Sequence, residues 1–238
     1  MAESLSTWRR KVKKILTNSS MEYLSSEFCF RDPIRPIKNN PEIIYSPADG
    51  IILDIVKTES ISSPIYSKMG SINLSTLSYD MIEEGKYFCI TIFLTFYDPH
   101  IIRMPIDGII SRKDLPPMYV HDLPMLDFES MIMEHKISEI DRTGVASFAF
   151  NQRTMFEITS PINGYKTYLL LTADYDIDTI VSFFAGNNRP MKQGQRIGQI
   201  RYGSMATLVV PVDSGLEICS KILSHVEAGI DPILITNE

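Results

Sequence analysis

The chain has 238 residues, of which 44% are hydrophobic and 22% are charged. This length and composition are typical of one globular domain with a substantial core, and they exclude a disordered or fibrous protein. The net charge of −6 is uneven, because the first 20 residues carry five basic residues against Glu3 and the remaining residues therefore carry −10. Such an acidic body argues against a nucleic-acid partner.

The first predicted element is a basic amphipathic N-terminal arm over residues 1–20. A helix over residues 6–18 would place four apolar side chains near one face: Trp8, Val12, Ile15 and Leu16. The arm has two interpretations, which are contact with an anionic membrane surface and a solvated helix face. Because the sequence shows no run of about 18 apolar residues and no signal peptide, we expect a cytoplasmic protein with at most peripheral membrane contact.

The rest of the chain, residues 21–238, predicts one compact domain with an α+β, predominantly β fold of antiparallel strands and hairpins. Prolines between residues 33 and 47 exclude a long helix and predict an extended lead-in that ends at Asp49-Gly50. Seven β-type runs follow, namely Ile51–Val56, Tyr87–Phe96, Ile106–Ser111, Ala146–Phe150, Met155–Thr159, Tyr165–Thr172 and Ala206–Val210. Residues 178–184 fit a strand or a short helix, and residues 226–229 predict a turn between two small strands.

Several motifs that carry chemistry in other proteins are missing from the sequence. It has no glycine-rich nucleotide loop and no GxSxG nucleophile elbow. Its four histidines are scattered, so we expect no metal site. Cys29, Cys89 and Cys219 are odd in number and lie in apolar sequence, which predicts reduced core residues.

The Gly203-Ser204 dipeptide follows a glycine-punctuated segment and precedes a predicted strand. A glycine leaves its carbonyl sterically open and allows unusual backbone conformations, so the neighbouring hydroxyl can reach that carbonyl. Most such dipeptides are ordinary turns. The dipeptide alone therefore leaves both interpretations open.

Five ordered segments resemble the phosphatidylserine decarboxylase family, especially its short bacterial and archaeal members. They are Phe30–Pro33 with Ser46–Gly50, Asp98–Gly108, Asn151–Arg153, Arg196–Ser204 and Val226–Gly229. Together they extend over about residues 28–235. The third resembles the family's NER triplet, and the fourth resembles the RxG and FGS segment where the precursor is cleaved.

The resemblance implies that the Ser204 hydroxyl attacks the Gly203 carbonyl to form an ester. Elimination then leaves a dehydroalanine, which hydrolyses to a pyruvoyl group derived from Ser204 with loss of ammonia, and no external cofactor is needed. Residues 1–203 and 204–238 become two associated chains, beta and alpha. The pyruvoyl carbonyl forms a Schiff base with the substrate amine and accepts electrons as carbon dioxide leaves. Phosphatidylserine would thereby become phosphatidylethanolamine.

The same resemblance implies roles for side chains elsewhere in the chain. A serine hydroxyl needs a base, and His100 suits that task with Asp49 fixing its tautomer. His100 is also our choice for returning a proton to the carbanion. Asn151 and three arginines are candidates for binding the substrate carboxylate or phosphate, the arginines being Arg103, Arg153 and Arg201.

Two positions depart from the family pattern. Arg103 stands where longer members carry a second histidine, and Met205 follows Ser204 where they prefer threonine.

Three other functions stay open. They are decarboxylation of a soluble amino acid, an uncleaved binding or scaffold protein, and a serine hydrolase with an acyl-enzyme intermediate.

Overall fold

The structure is a computed structural model that describes residues 2–67, 70–116, 151–162, 164–173, 179–201 and 205–236. Within these ranges the α-helices are α1 (Leu5–Leu16), α2 (Met21–Ser26) and α3 (Leu74–Ser78). The strands are β1 (Glu3–Ser4), β2 (Ile43–Tyr45), β3 (Gly50–Thr58), β4 (Pro64–Ser67), β5 (Gly70–Asn73), β6 (Tyr87–Phe93), β7 (Ile101–Arg103), β8 (Gly108–Leu115), β9 (Arg153–Thr159), β10 (Lys166–Thr172), β11 (Ile180–Ser182), β12 (Arg189–Met191), β13 (Arg196–Ile200), β14 (Met205–Pro211), β15 (Leu216–Ile218), β16 (Ser224–Val226) and β17 (Pro232–Thr236).

A nine-stranded sheet organises the fold, in the order β1-β16-β3-β6-β14-β10-β9-β8-β12. Two three-stranded sheets, β11-β13-β7 and β15-β17-β2, and the β4-β5 hairpin complete the described strands. All the strand pairs described are antiparallel. The predicted α+β, predominantly β class is confirmed.

Six of the seven predicted β-type runs are confirmed as parts of β3, β6, β8, β9, β10 and β14. The seventh, residues 146–150, lies outside the described residues. The ambiguous segment near residue 180 forms a strand, β11. The C-terminal turn between two small strands is also confirmed, with Gly229 at φ 68°.

Both faces of the large sheet are buried, because its central strands alternate apolar residues between two core clusters. Ile51 and Leu53 belong to one cluster and Ile52 to the other. The three helices and the hairpin cover the first face, and the two small sheets cover the second. Cys29 and Cys89 are buried as predicted, whereas the prediction for Cys219 is wrong, because it follows the short edge strand β15 and is exposed.

Helix α1 is packed on this domain. Its N-cap is Ser4, whose side chain accepts a hydrogen bond from the Thr7 amide. Trp8 and Val12 are buried in the first core cluster, so the apolar face of the predicted arm contacts the sheet. Lys13 and Lys14 remain exposed. Among the described helices, none has the length and apolarity needed to cross a membrane.

One row of paired residues crosses the sheet near one of its ends. From β16 to β8 the row comprises His225, Ile51, Phe93, Met205, Thr172, Arg153 and Leu115. Because neighbouring strands are antiparallel, they alternately begin and end at this row. The segments that enter or leave the strands here are therefore brought together.

Candidate active site

The end of the sheet marked by this row collects the motifs predicted to act together. Asp49 immediately precedes β3, and the turn from Leu94 to His100 follows β6. Met205 begins β14 and pairs with Phe93 on one side and with Thr172 on the other. Residues 202–204, which include the predicted cleavage site Gly203-Ser204, lie outside the described residues. Their neighbour Met205 is buried in the centre of the sheet.

His100 is buried, and its ring is held in one tautomer. Its Nδ1 lies 3.0 Å from the main-chain oxygen of Asp98. A carbonyl oxygen only accepts hydrogen bonds, so Nδ1 carries the proton and Nε2 of the neutral ring keeps its lone pair. Burial lowers the pKa of His100 to about 4. The side chain is therefore a neutral proton acceptor at physiological pH.

Asp49 is also buried, but the contacts described for its carboxylate do not include His100. Oδ1 accepts a hydrogen bond from Arg35 at 2.7 Å, and Oδ2 accepts one from the Ala228 amide at 3.2 Å. Burial raises the pKa of Asp49 to about 7, against the opposing effect of Arg35. The tautomer-fixing task expected of Asp49 is carried out by the Asp98 carbonyl.

The close packing around residue 50 explains why a glycine follows Asp49. A Cβ at this position would lie 2.3 Å from the Phe93 main-chain oxygen. Strands β3 and β6 therefore approach closely where Asp49 enters the site.

Arg35 is a site residue that the sequence alone did not identify. Its guanidinium bridges Asp49 and Glu227, with a distance of 3.0 Å to the second carboxylate. The bridge ties the extended lead-in to the turn after β16. The available signal was a charged residue between Ile34 and Pro36 in a Pro-rich stretch, but that signal names no partner.

A buried ion pair between Asp98 and His225 was also missed. His225 Nε2 lies 2.7 Å from Asp98 Oδ1. Burial alone would lower the pKa of His225, but the Asp98 carboxylate raises it overall. Burial alone would raise the pKa of Asp98, but His225 and the hydrogen bonds from Thr95 hold it below its usual range. Each group therefore favours the charged form of the other.

Two of the candidate substrate-binding arginines are occupied by contacts within the protein. Arg103 donates to Asp32 at 2.8 Å and to the main-chain oxygens of Pro33 and Gly194. Arg153 is fully buried and donates to three main-chain oxygens, those of Thr76, Leu77 and Pro116. These contacts indicate that Arg103 anchors the lead-in and that Arg153 joins β9 to the C-terminal end of α3.

Arg201 and Asn151 lie at the same end of the sheet but differ in exposure. Arg201 is exposed, and its main-chain amide donates to the Thr179 oxygen at 2.7 Å. Asn151 is buried two residues before β9. Of the three candidate arginines, Arg201 is the one whose guanidinium makes no hydrogen bond to the described residues.

Comparisons with known proteins agree with this arrangement. The Phosphatidylserine decarboxylase family model matches residues 28–232. The chain is similar to three proteins named Phosphatidylserine decarboxylase proenzyme. That of Ehrlichia canis (strain Jake) is 27% identical over 193 residues, covering 80% of this chain and 67% of the relative. That of Wolbachia pipientis wMel is 25% identical over 191 residues, with the same coverage of 80% and 67%.

The third relative, from Carboxydothermus hydrogenoformans, is 25% identical over 217 residues, covering 89% of this chain and 79% of the relative. The chain spans about two thirds of the length of the Ehrlichia and Wolbachia relatives, and 65% in the case of Ehrlichia ruminantium (strain Welgevonden). The family match extends from the 3₁₀ turn at Phe28 to the start of β17. This chain belongs to the phosphatidylserine decarboxylase family.

Proposed function

We propose that this chain is a proenzyme that cleaves itself between Gly203 and Ser204 and then decarboxylates phosphatidylserine. Family membership and the proenzyme names of the relatives support this proposal. The observation that carries it is the state of His100, a buried neutral imidazole whose Nδ1 is bonded to the Asp98 carbonyl and whose own main-chain oxygen accepts from the Ile200 amide, four residues before Ser204.

In the proposed cleavage, His100 Nε2 takes the proton of the Ser204 hydroxyl as its oxygen attacks the Gly203 carbonyl. His100 then gives this proton to the Ser204 nitrogen as the Gly203-Ser204 C–N bond breaks and the ester forms. The Asp98 carbonyl leaves the lone pair on Nε2 before this transfer, because Nδ1 is already its hydrogen-bond donor. The role assigned to Asp49 is to hold Arg35, and with it the lead-in, beside this base.

The two proposed products, residues 1–203 and 204–238, would stay together through strand pairing. The shorter product contains β14 to β17. Strand β14 lies between β6 and β10, β16 pairs with β3, and β17 pairs with β2. Hydrogen bonds on both edges of β14 would keep its new N-terminus in place after the peptide bond is broken.

The site fits a pyruvoyl group derived from Ser204, because the strand that would carry it is buried and paired on both edges. A pyruvoyl group supplies a carbonyl that accepts the electrons released when carbon dioxide leaves. Met205 would fix its position through β14, and His100 Nε2 would relay a proton from a solvent water molecule to the substrate carbon. Arg201 is our candidate for the lipid phosphate or carboxylate, because its guanidinium is exposed at this end of the sheet.

We also propose that the protein meets an anionic bilayer through the exposed basic residues of α1. The apolar face of α1 is buried against the sheet, so this contact would be electrostatic. Salt would weaken it strongly.

The test of the activity is incubation of purified protein with phosphatidylserine vesicles, with phosphatidylethanolamine and carbon dioxide as the readouts. L-Serine and L-tyrosine presented in the same assay cover the soluble substrates. The proposal expects turnover of the lipid, none of it in Ser204→Ala, and unchanged turnover in the control Ser214→Ala, whose hydroxyl makes no hydrogen bond to the described residues. Turnover of an amino acid with none of the lipid, or no turnover by the natural chain, would overturn it.

A further inference from the structure

The buried pair of Asp98 and His225 is not used by the proposed cleavage, yet it lies one hydrogen bond away from the proposed base. The exposed fractions of the two residues are 2% and 6%. Their 2.7 Å contact joins Nε2 of His225 to a carboxylate, which makes it a strong, charge-assisted hydrogen bond.

The carboxylate of Asp98 is fixed from two sides. Oδ1 accepts from His225, while Oδ2 accepts from the Thr95 amide at 3.0 Å and from the Thr95 hydroxyl at 2.8 Å. These bonds close the tight turn after β6. The main-chain oxygen of the same residue then accepts from Nδ1 of His100.

His225 is itself held rigidly. It pairs with Ile51 in the sheet, and the Trp8 ring stacks on its imidazole with centroids 5.2 Å apart and planes 17° apart. The charged groups that face it are Asp98, Asp49 and Glu3, the last with Oε1 at 4.0 Å from Nδ1. All three are carboxylates, so the surroundings favour the charged imidazolium.

We infer that His225 is a positioning residue for His100, acting through Asp98: its hydrogen bond fixes the Asp98 turn, and the turn's carbonyl fixes the His100 tautomer. The inference rests on the proposed function only in that His100 is taken as the base for self-cleavage. The positioning itself is a property of the uncut chain.

Two substitutions separate hydrogen bonding from packing. His225→Gln keeps an N–H donor for Asp98, whereas His225→Leu keeps an apolar contact for Trp8 and removes the donor. Leu5→Ala is the matched control, because Leu5 is buried in the same core cluster beside Trp8 and makes no side-chain contact with the carboxylate. The Leu5→Ala variant should be less stable than the natural chain, but the tautomer of His100 should not change.

The first readout is the tautomer of His100 in the uncut Ser204→Ala chain, measured by long-range ¹H–¹⁵N NMR with ¹⁵N-labelled histidine. The chain has four histidines, so His→Gln variants suffice for assignment. We expect the Nδ1–H form in the otherwise natural chain and in the His225→Gln and Leu5→Ala variants. In His225→Leu we expect a mixture of tautomers.

The second readout is the rate of self-cleavage in chains that keep Ser204. We expect His225→Leu to slow self-cleavage by roughly tenfold or more, because without the donor to Asp98 the base His100 is misplaced and its contribution to the rate is lost. His225→Gln keeps a donor, so we expect it to cleave faster than His225→Leu. An unchanged His100 tautomer in His225→Leu would overturn the inference, as would a leucine variant that cleaves faster than the glutamine variant.

If the natural chain does not cleave at all, the proposed function fails while the NMR result still decides the inference. If His225→Leu does not fold, Asp98→Asn replaces it. That variant removes the carboxylate charge and keeps the size of the side chain. A His100 ring that stays wholly in the Nδ1–H form in Asp98→Asn would then overturn the inference.

Discussion

The main-chain oxygen of Asp98 lies 3.0 Å from Nδ1 of His100, and this contact decides which nitrogen of the imidazole can accept a proton. The lone pair is left on Nε2, at the end of the sheet where β14 begins. A carbonyl performs here the task for which a carboxylate was expected. Because the carbonyl does not titrate, the tautomer should persist over the whole pH range in which the protein is folded.

The pH dependence of self-cleavage should report Asp49. As pH rises through about 7, Asp49 loses its proton and its hydrogen bond from the Arg35 guanidinium becomes an ion pair, so the lead-in is held more firmly and the rate rises. His100 becomes protonated only as pH falls toward about 4. Rate constants measured from pH 5 to 8 should therefore show an inflexion near 7 in the natural chain and none in Asp49→Asn. An inflexion retained in Asp49→Asn would assign it to another group.

Arginine substitutions should separate the substrate-binding candidate from the structural residues. Arg201→Gln should leave stability within about 0.5 kcal/mol and raise KM for the lipid roughly tenfold, because a hydrogen bond to a charged group is lost. Arg153→Gln should lower stability by about 1–3 kcal/mol for each buried carbonyl left unpaired. Thermal unfolding and steady-state kinetics are the measurements, with exposed Arg189→Gln as the control. An unchanged KM in Arg201→Gln would contradict the assignment.

The close approach of β3 and β6 predicts a cost for any side chain at residue 50. Gly50→Ala should lower the free energy of unfolding by roughly 1–3 kcal/mol, because its Cβ meets the rigid backbone oxygen of Phe93. In the control Gly85→Ala, the nearest atoms lie at 3.3 Å and belong to the Tyr87 side chain, so a shift of a few tenths of an ångström is enough to relieve the contact. Denaturant unfolding of the two variants should separate them clearly. Equal stabilities would show that the strands can separate at no cost.

Charge and packing on α1 should have separate effects. The double variant Lys13→Glu, Lys14→Glu should bind anionic vesicles much more weakly at low salt and keep its thermal stability, because both side chains are exposed. Trp8→Ala should instead cost roughly 3–5 kcal/mol of stability, because its ring is buried. Vesicle co-sedimentation and thermal melts measure the two effects. Undiminished binding by the charge-reversed protein would reject α1 as the contact.

The sequence was sufficient for the central strands, and it also predicts two residues, His100 and Asp49, as parts of the candidate site. Runs of β-branched and aromatic residues between turn residues predict β3, β6, β9, β10 and β14 because their side chains fit a sheet buried on both faces. His100 and Asp49 stand in contiguous motifs. The order of strands is a different matter, since it depends on pairings between distant segments.

The remainder of the site depends on contacts that no local pattern reveals. His225 and Asp98 are 127 positions apart and meet only because β16 and β6 both pair with β3. The burial of Trp8 was likewise not predictable, because an amphipathic helix has the same periodicity whether its apolar face meets protein or lipid.

Intact-mass analysis of freshly purified protein shows directly whether the chain cleaves itself between Gly203 and Ser204. Self-cleavage predicts two fragments, residues 1–203 and 204–238, the second with a blocked N-terminus that reacts with hydrazines. In Ser204→Ala we expect one full-length species. In His100→Ala we expect a folded chain whose cleavage is slowed by roughly 10²- to 10⁴-fold, the contribution of a general base. A natural chain that keeps its full mass under native conditions would contradict self-cleavage. A His100→Ala chain that cleaves at the natural rate would contradict the role of His100 as the base.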